Sequence, residues 1–130
     1  MREIKFRGKS LKSKRWIYGQ LLSGNDQAAI MVINGNKLNT FDSRMVDPST
    51  VGQYVGLNDI HGKGIYEGDV LMVEGIKTNR YSKVWWNPEK FTFYIGHAPL
   101  DAYLKNEYNL CEFCIAGNIY DNPELKEKLV

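Results

Sequence analysis

The amino-acid sequence predicts a mainly β protein, and three observations carry that prediction. Twelve glycines stand against four prolines. Eight tyrosines, five phenylalanines and three tryptophans occur in only 130 residues. Aromatic side chains suit a pleated, half-buried surface, and glycines suit the turns between strands. Several short runs alternate apolar and polar residues with period two, and Asn34-Gly35 stands between two of them. Asn-Gly tolerates the positive φ of a two-residue hairpin turn. With 25% charged and 43% hydrophobic residues the chain has enough apolar surface to fold, which excludes a disordered composition. Its 14.9 kDa fits one domain, or two small halves sharing a core.

Ile4 and Phe6 alternate with Glu3, Lys5 and Arg7, which predicts a half-buried first strand. After the polar Gly8–Lys14 loop, Arg15–Leu22 is a second strand that places Trp16 and Tyr18 on one face. Ser23-Gly24-Asn25-Asp26 turns the chain, and Gln27–Ile33 and Lys37–Phe41 form the hairpin about Asn34-Gly35. Asp47-Pro48-Ser49-Thr50 interrupts the pattern because proline lacks the N–H that a central strand needs. Val51–Val55 resumes it. Gly56–Gly68 holds four glycines and reads as a loop anchored by Ile65 and Tyr66. Asp69–Glu74, Ser82–Trp86 and Phe91–Ile95 follow as a meander, with Asn87-Pro88-Glu89-Lys90 as the tight turn between the last two. Pro99–Tyr108 is an irregular connection or one to two helical turns, and Leu110–Tyr120 a strand. Asn122-Pro123-Glu124 offers an N-cap, a proline at the first helical position and an acid in the first turn, so a short helix closes the chain.

The formal charge of +2 is unevenly spread. Residues 1–15 carry Arg2, Lys5, Arg7, Lys9, Lys12, Lys14 and Arg15 against Glu3 alone, a net +6, which leaves −4 for the remainder. Overall near-neutrality argues against a wholesale polyanion binder. The longest apolar stretch, Ala28–Ile33, is far short of the roughly 20 residues of a membrane span. No apolar run follows the basic N-terminus, so no signal peptide and no membrane partner are expected, and the cytoplasm is the expected location. Two cysteines are too few for a disulfide scaffold and are expected as reduced thiols.

Four sequence features invite a functional reading. Cys111-Glu112-Phe113-Cys114 is a C-x-x-C, but a zinc site needs four ligands and only His61 and His97 could add to it. In a strand this spacing also points the two thiols to opposite faces. No metal and no cofactor are therefore expected. Gly56–Gly64 is superficially like a phosphate loop, but its first glycine spacing is one residue too long and Lys63 precedes Gly64 instead of Ser or Thr. His61, Glu67 and Asp69 form a conceivable carboxylate–imidazole cluster for hydrolysis; the simpler reading makes Asp69 a cap for backbone N–H groups beside the Gly68 turn. The basic arm, with Arg2, Lys5, Arg7, Lys12, Lys14 and Arg15 beside Trp16, suits a phosphate backbone with a stacked base, or else a charged edge that deters aggregation. Trp85-Trp86 presents one indole to each face of its strand, one for the core and one for a contact surface.

Several strings together resemble the YopX family. They are Met1-Arg2-Glu3-Ile4-Lys5-Phe6-Arg7, then the run from Val46-Asp47-Pro48 through Val51-Gly52-Gln53-Tyr54-Val55-Gly56-Leu57-Asn58-Asp59, then Gly62-Lys63-Gly64-Ile65-Tyr66-Glu67-Gly68-Asp69-Val70, and finally Gly117-Asn118-Ile119-Tyr120-Asp121-Asn122-Pro123-Glu124-Leu125. One departure is Ile60-His61, where the family commonly has a second charged residue before the Gly62-Lys63 turn. The resemblance implies a phage or prophage protein with no established catalytic residues and a barrel-like second half. It marks Gly52, Tyr54, Gly56, Gly62, Ile65, Tyr66, Gly68, Asp69, Gly117 and Asn118 as structural positions. The expected architecture is an N-terminal β unit over 1–55, then a small SH3-like, partly open barrel over 56–130 with the terminal helix. The expected function is that of a non-enzymatic accessory protein that binds and self-associates. The alternatives are nucleic-acid binding through the basic arm and, least favoured, an enzyme around His61, Glu67 and Asp69.

Overall fold

The computed structural model describes residues 2–33, 41–75, 77–103 and 112–130. Among these residues the fold is mainly β, with eleven strands and three short 3-10 segments. The strands form two antiparallel sheets, neither of them closed. The chain divides into two compact units, Met1–Tyr54 and Val55–Val130.

In the first unit β1 (Phe6–Lys9), β2 (Trp16–Gly24), β3 (Gln27–Ile33) and β4 (Phe41–Val46) lie in the order β4-β3-β2-β1. The start of β5 (Gly52–Asn58) adds to β1 through Phe6↔Gln53 and Arg7↔Gly52. Period-two alternation decides which side chains share a face. Ala28, Ile30 and Val46 are buried and pack with Phe6, Ile17, Leu21, Val32 and Val51. The alternate residues of β2, including Tyr18 and Leu22, are exposed. At one end Ser10 bridges Val46 and the Leu11 amide donates to the Met45 carbonyl at 3.1 Å, so β1 and β4 meet there. The Ser10 hydroxyl accepts from the amides of Lys12 and Ser13 at 3.2 and 3.1 Å, which fixes the turn between β1 and β2.

Asp47 caps the 3-10 turn Pro48–Thr50, its Oδ1 accepting from the Ser49 amide at 3.0 Å and the Ser49 hydroxyl at 2.8 Å. The Ser49 hydroxyl, then the Ser49 amide, hold the carboxyl below its ordinary pKa of 3.8. The capped form therefore stabilises the fold above the unfolded pKa, and that contribution disappears as pH falls through the folded value. An NMR titration of Asp47 should give a midpoint below 3.8, moving up in Ser49→Ala. An unmoved midpoint would refute the capping assignment.

In the second unit the remainder of β5 is followed by β6 (Gly64–Tyr66), its neighbour in the sheet. A five-stranded sheet is then built from β7 (Asp69–Val73), β8 (Arg80–Asn87), β9 (Thr92–Ile95), β10 (Ala98–Pro99) and β11 (Cys114–Asn118), in the order β10-β9-β8-β7-β11. Val55 and Leu57 from β5, Ile65, Leu71, Val84, Ile95 and Phe113 make its core, and the Phe113 ring meets Tyr103 edge-on at 5.1 Å.

The meander follows the sequence reading, and other places differ from it. The first strand is Phe6–Lys9, which leaves Ile4 exposed and takes Gly8 and Lys9 from the expected loop. β4 runs from Phe41 to Val46, where the reading ended its strand at Phe41. Gly56–Gly68 is not all loop, because Leu57 and Ile65 belong to the core and carry β5 and β6 into it. Ala98-Pro99 is a short edge strand, where a proline costs no ladder hydrogen bond. β11 stops at Asn118, whose Oδ1 accepts from the amides of Tyr120 and Asp121 at 3.0 and 2.9 Å and turns the chain. The closing helix is a 3-10 segment, Pro123–Lys128, and Asn122 does not cap it by a side-chain hydrogen bond; its Oδ1 accepts from the Asn118 amide at 3.1 Å. The Asn34-Gly35 turn, most of the strand expected after it, and residues 104–111 lie outside the described residues. Among the described residues no helix is long and apolar enough to cross a membrane.

Candidate functional site

The polar loop between β5 and β6 is organised by one carboxylate. Asp59 is only 2% exposed. Its Oδ1 accepts from the amides of His61 and Lys63, both at 2.9 Å, and its Oδ2 accepts from the Ile115 amide of β11 at 3.1 Å. The Ile60 amide adds a bond to the Phe113 carbonyl at 2.9 Å. An ionised carboxylate can accept about four such bonds, so a buried Asp suits a loop with several unpaired N–H groups. Asp69 follows the same logic: it is 1% exposed, and its Oδ2 accepts from the Tyr66 amide at 2.8 Å. Between them Gly68 adopts φ +90°, donates to the Val84 carbonyl and accepts from the Ile119 amide, both at 2.9 Å. A Cβ at Gly68 would stand 2.9 Å from the Tyr120 ring.

Of the three residues considered for hydrolysis, Asp69 is therefore buried on a backbone amide, Glu67 is half-buried, and His61 is exposed on the turn. The acid beside His61 is Asp59, which the sequence analysis named only within a family-like string and not as a candidate site residue. The Asn58-Asp59 pair just ahead of Gly62 was the available signal for it. Among the marked positions, Gly52, Tyr54, Ile65, Tyr66, Gly68, Asp69 and Asn118 are buried, Gly117 is half-buried, and Gly56 and Gly62 are exposed at positive φ. Cys114 is a free thiol on β11, and Cys111 lies outside the described residues. Among the described residues no group of three His, Cys, Asp or Glu side chains is placed to hold a metal ion.

The basic arm splits in two. Arg7 is 5% exposed, its guanidinium 4.4 Å from the centre of the Trp16 ring, with the Lys9 ammonium at 5.7 Å from the same ring. Lys5 lies 4.6 Å over Tyr54 and 3.0 Å from Glu3. Burial pushes the Tyr54 phenol up, against the opposing effect of Lys5. Arg2, Lys12, Lys14 and Arg15 are exposed, the last three on the turn fixed by Ser10. Trp16 thus carries the chain's own cations on its ring, a use of cation–π contact that the stacking hypothesis did not foresee.

Of the exposed apolar side chains, Trp86 belongs to the pair singled out from the sequence and is 42% exposed, whereas Leu11, Met45 and Phe91 were not singled out. A cavity of about 500 Å³ lies between the Ser10–Ser13 turn and Arg44-Met45 of β4, and its apolar lining comes from Leu11 and Met45, which are 50% and 45% exposed. In the second unit the β8–β9 turn is held by Asn87, whose Oδ1 accepts from the amides of Glu89 and Lys90 at 3.0 and 3.3 Å. At its end Phe91 is 80% exposed with φ +54°. Behind it Trp86 and Phe93 pair edge-on at 5.0 Å, while Trp85 donates its indole N–H to the Gly96 carbonyl at 2.8 Å.

Open antiparallel sheets whose turns are tied by buried Asp and Asn side chains define a small, mainly antiparallel β protein. The family model described as YopX protein matches residues 5–127, and the chain belongs to that family. Its fold is similar to the crystal structure of protein EF1440 from Enterococcus faecalis, at a TM-score of 0.61 and 19% identity, covering 96% of this chain and 99% of that one. A search of the curated proteins gave no match.

Proposed function

We propose that the chain works by binding and not by turnover, as an accessory protein of a phage or prophage in the bacterial cytoplasm, and that it associates with itself. One observation supports this reading above the others: Asp59, Asp69 and Asn118, polar residues within the family strings, are hydrogen-bonded to the chain's own backbone. Groups so engaged shape the fold, and contact is left to side chains on the surface. Light scattering after size exclusion tests the self-association: the expected mass exceeds one chain and falls on dilution. A single-chain mass at every concentration would overturn it, and a turnover lost on His61→Ala with the fold retained would overturn the non-enzymatic reading.

A second reading, nucleic-acid contact, draws on Lys12, Lys14 and Arg15 being presented together on a fixed turn. It needs no base stacked on Trp16. Anisotropy of a labelled single-stranded oligonucleotide should rise at low salt and lose affinity steeply as salt increases. Lys12→Glu with Lys14→Glu should weaken binding by about tenfold or more. No change in anisotropy at low salt removes this reading.

A further inference from the structure

We propose that the groove between the Ser10–Ser13 turn and β4 receives the β8–β9 hairpin tip of a second copy of this chain, with Phe91 as the inserted side chain. The inference rests on the self-association reading and supplies its surfaces. The groove offers about 500 Å³ with Leu11 and Met45 exposed in it, and Lys12 and Arg44, both exposed, form its rim. A methionine thioether and cations beside an apolar floor suit an aromatic ring, whose face is electron-rich. The chain repeatedly satisfies its own rings in this way, with Lys5 over Tyr54, Arg7 over Trp16 and Lys128 over Tyr81.

Phe91 is the complementary part. It is 80% exposed and held at φ +54°, an uncommon and unfavourable conformation for a bulky residue. Asn87 fixes the turn that presents it, so little freedom is lost on insertion. Glu89 on the same tip complements the cationic rim, and Lys90 opposes it. Tip and groove are different surfaces, so the contact is head-to-tail and each copy offers one of each.

Phe91→Gly removes the ring and suits the positive φ, and Leu11→Lys alters an exposed turn residue, so both variants should keep the wild-type circular dichroism. In light scattering across a dilution series, each alone should weaken association by about tenfold or more. Mixed together, they should form a one-to-one pair and nothing larger, because one variant keeps an intact groove and the other an intact tip. Glu89→Lys should weaken wild-type association and Lys90→Glu strengthen it. A mixture that stays monomeric, or variants that associate like the wild type, overturns the tip-in-groove contact while self-association stands. A wild type that is a single chain throughout overturns both.

Discussion

Replacing Asp59 with alanine should destabilise the protein by about 3 kcal/mol or more, because three backbone N–H groups lose a charged acceptor at once. The three bonds are unequal in consequence. His61 and Lys63 lie on an exposed turn, where water replaces the carboxylate, whereas the half-buried Ile115 belongs to β11. Bonds to a charged group are worth about 1.5–3 kcal/mol each, and partial resolvation keeps the sum below their total. For a cooperative unit of this size that loss lowers the melting temperature by roughly 10–20 °C. Asp59→Asn keeps the size but turns an NH₂ donor towards one set of donors, so it should fall between alanine and wild type. Urea unfolding with an unchanged m-value is the measurement. If Asp59→Ala remained within about 1 kcal/mol of wild type, the carboxylate would not be holding the loop to β11.

Gly68→Ala should cost about 2–5 kcal/mol, from two separable sources. At φ +90° any Cβ is strained, a cost of about 1–2 kcal/mol. The added methyl would also stand 2.9 Å from the Tyr120 ring, and overpacking of that kind costs about 1–3 kcal/mol. A double-mutant cycle separates them. In a Tyr120→Ala background only the backbone strain should remain, so Gly68→Ala should cost less there than in the wild type. Equal costs in both backgrounds would mean that the ring contact plays no part.

β2, β3 and β9 were legible because alternation brings Ile17 and Leu21, Ala28 and Ile30, and Phe93 and Ile95 to the core. β1 and β7 do not alternate, since Arg7 and Gly8, and Asp69, Val70 and Leu71, are buried at consecutive positions. β6 was not legible, since Ile65 and Tyr66 sit between Gly64 and Gly68 and are too few to show a period. The short terminal helix, its first proline and its first-turn Glu124 were legible, but its cap was not: Asn122 matches an N-cap in type, yet the turn at Asn118 takes its side-chain oxygen. The role of Asp59 was hidden because one of its donors, Ile115, lies 56 residues away. Lys5, Arg7 and Lys9 looked like surface charge, and cation–π pairing across strands leaves no mark in the order of residues. Phe91 read as the first residue of a strand; its exposure follows from the position of the turn, which the Asn87 side chain sets.

The pairing of β11 with β7 also bears on how the chain matures during synthesis. Three strand pairs of the first unit, β1 with β2, β2 with β3 and β3 with β4, join neighbours in sequence whose loops close early, and the start of β5 returns to β1 from further along. β7 instead waits for Cys114–Asn118 to leave the ribosome, and until then it presents an unpaired edge while Asp59 lacks its bond to Ile115. β11 is in this sense a clasp for β7, and a nascent polypeptide is most exposed to wrong pairing just before that strand arrives.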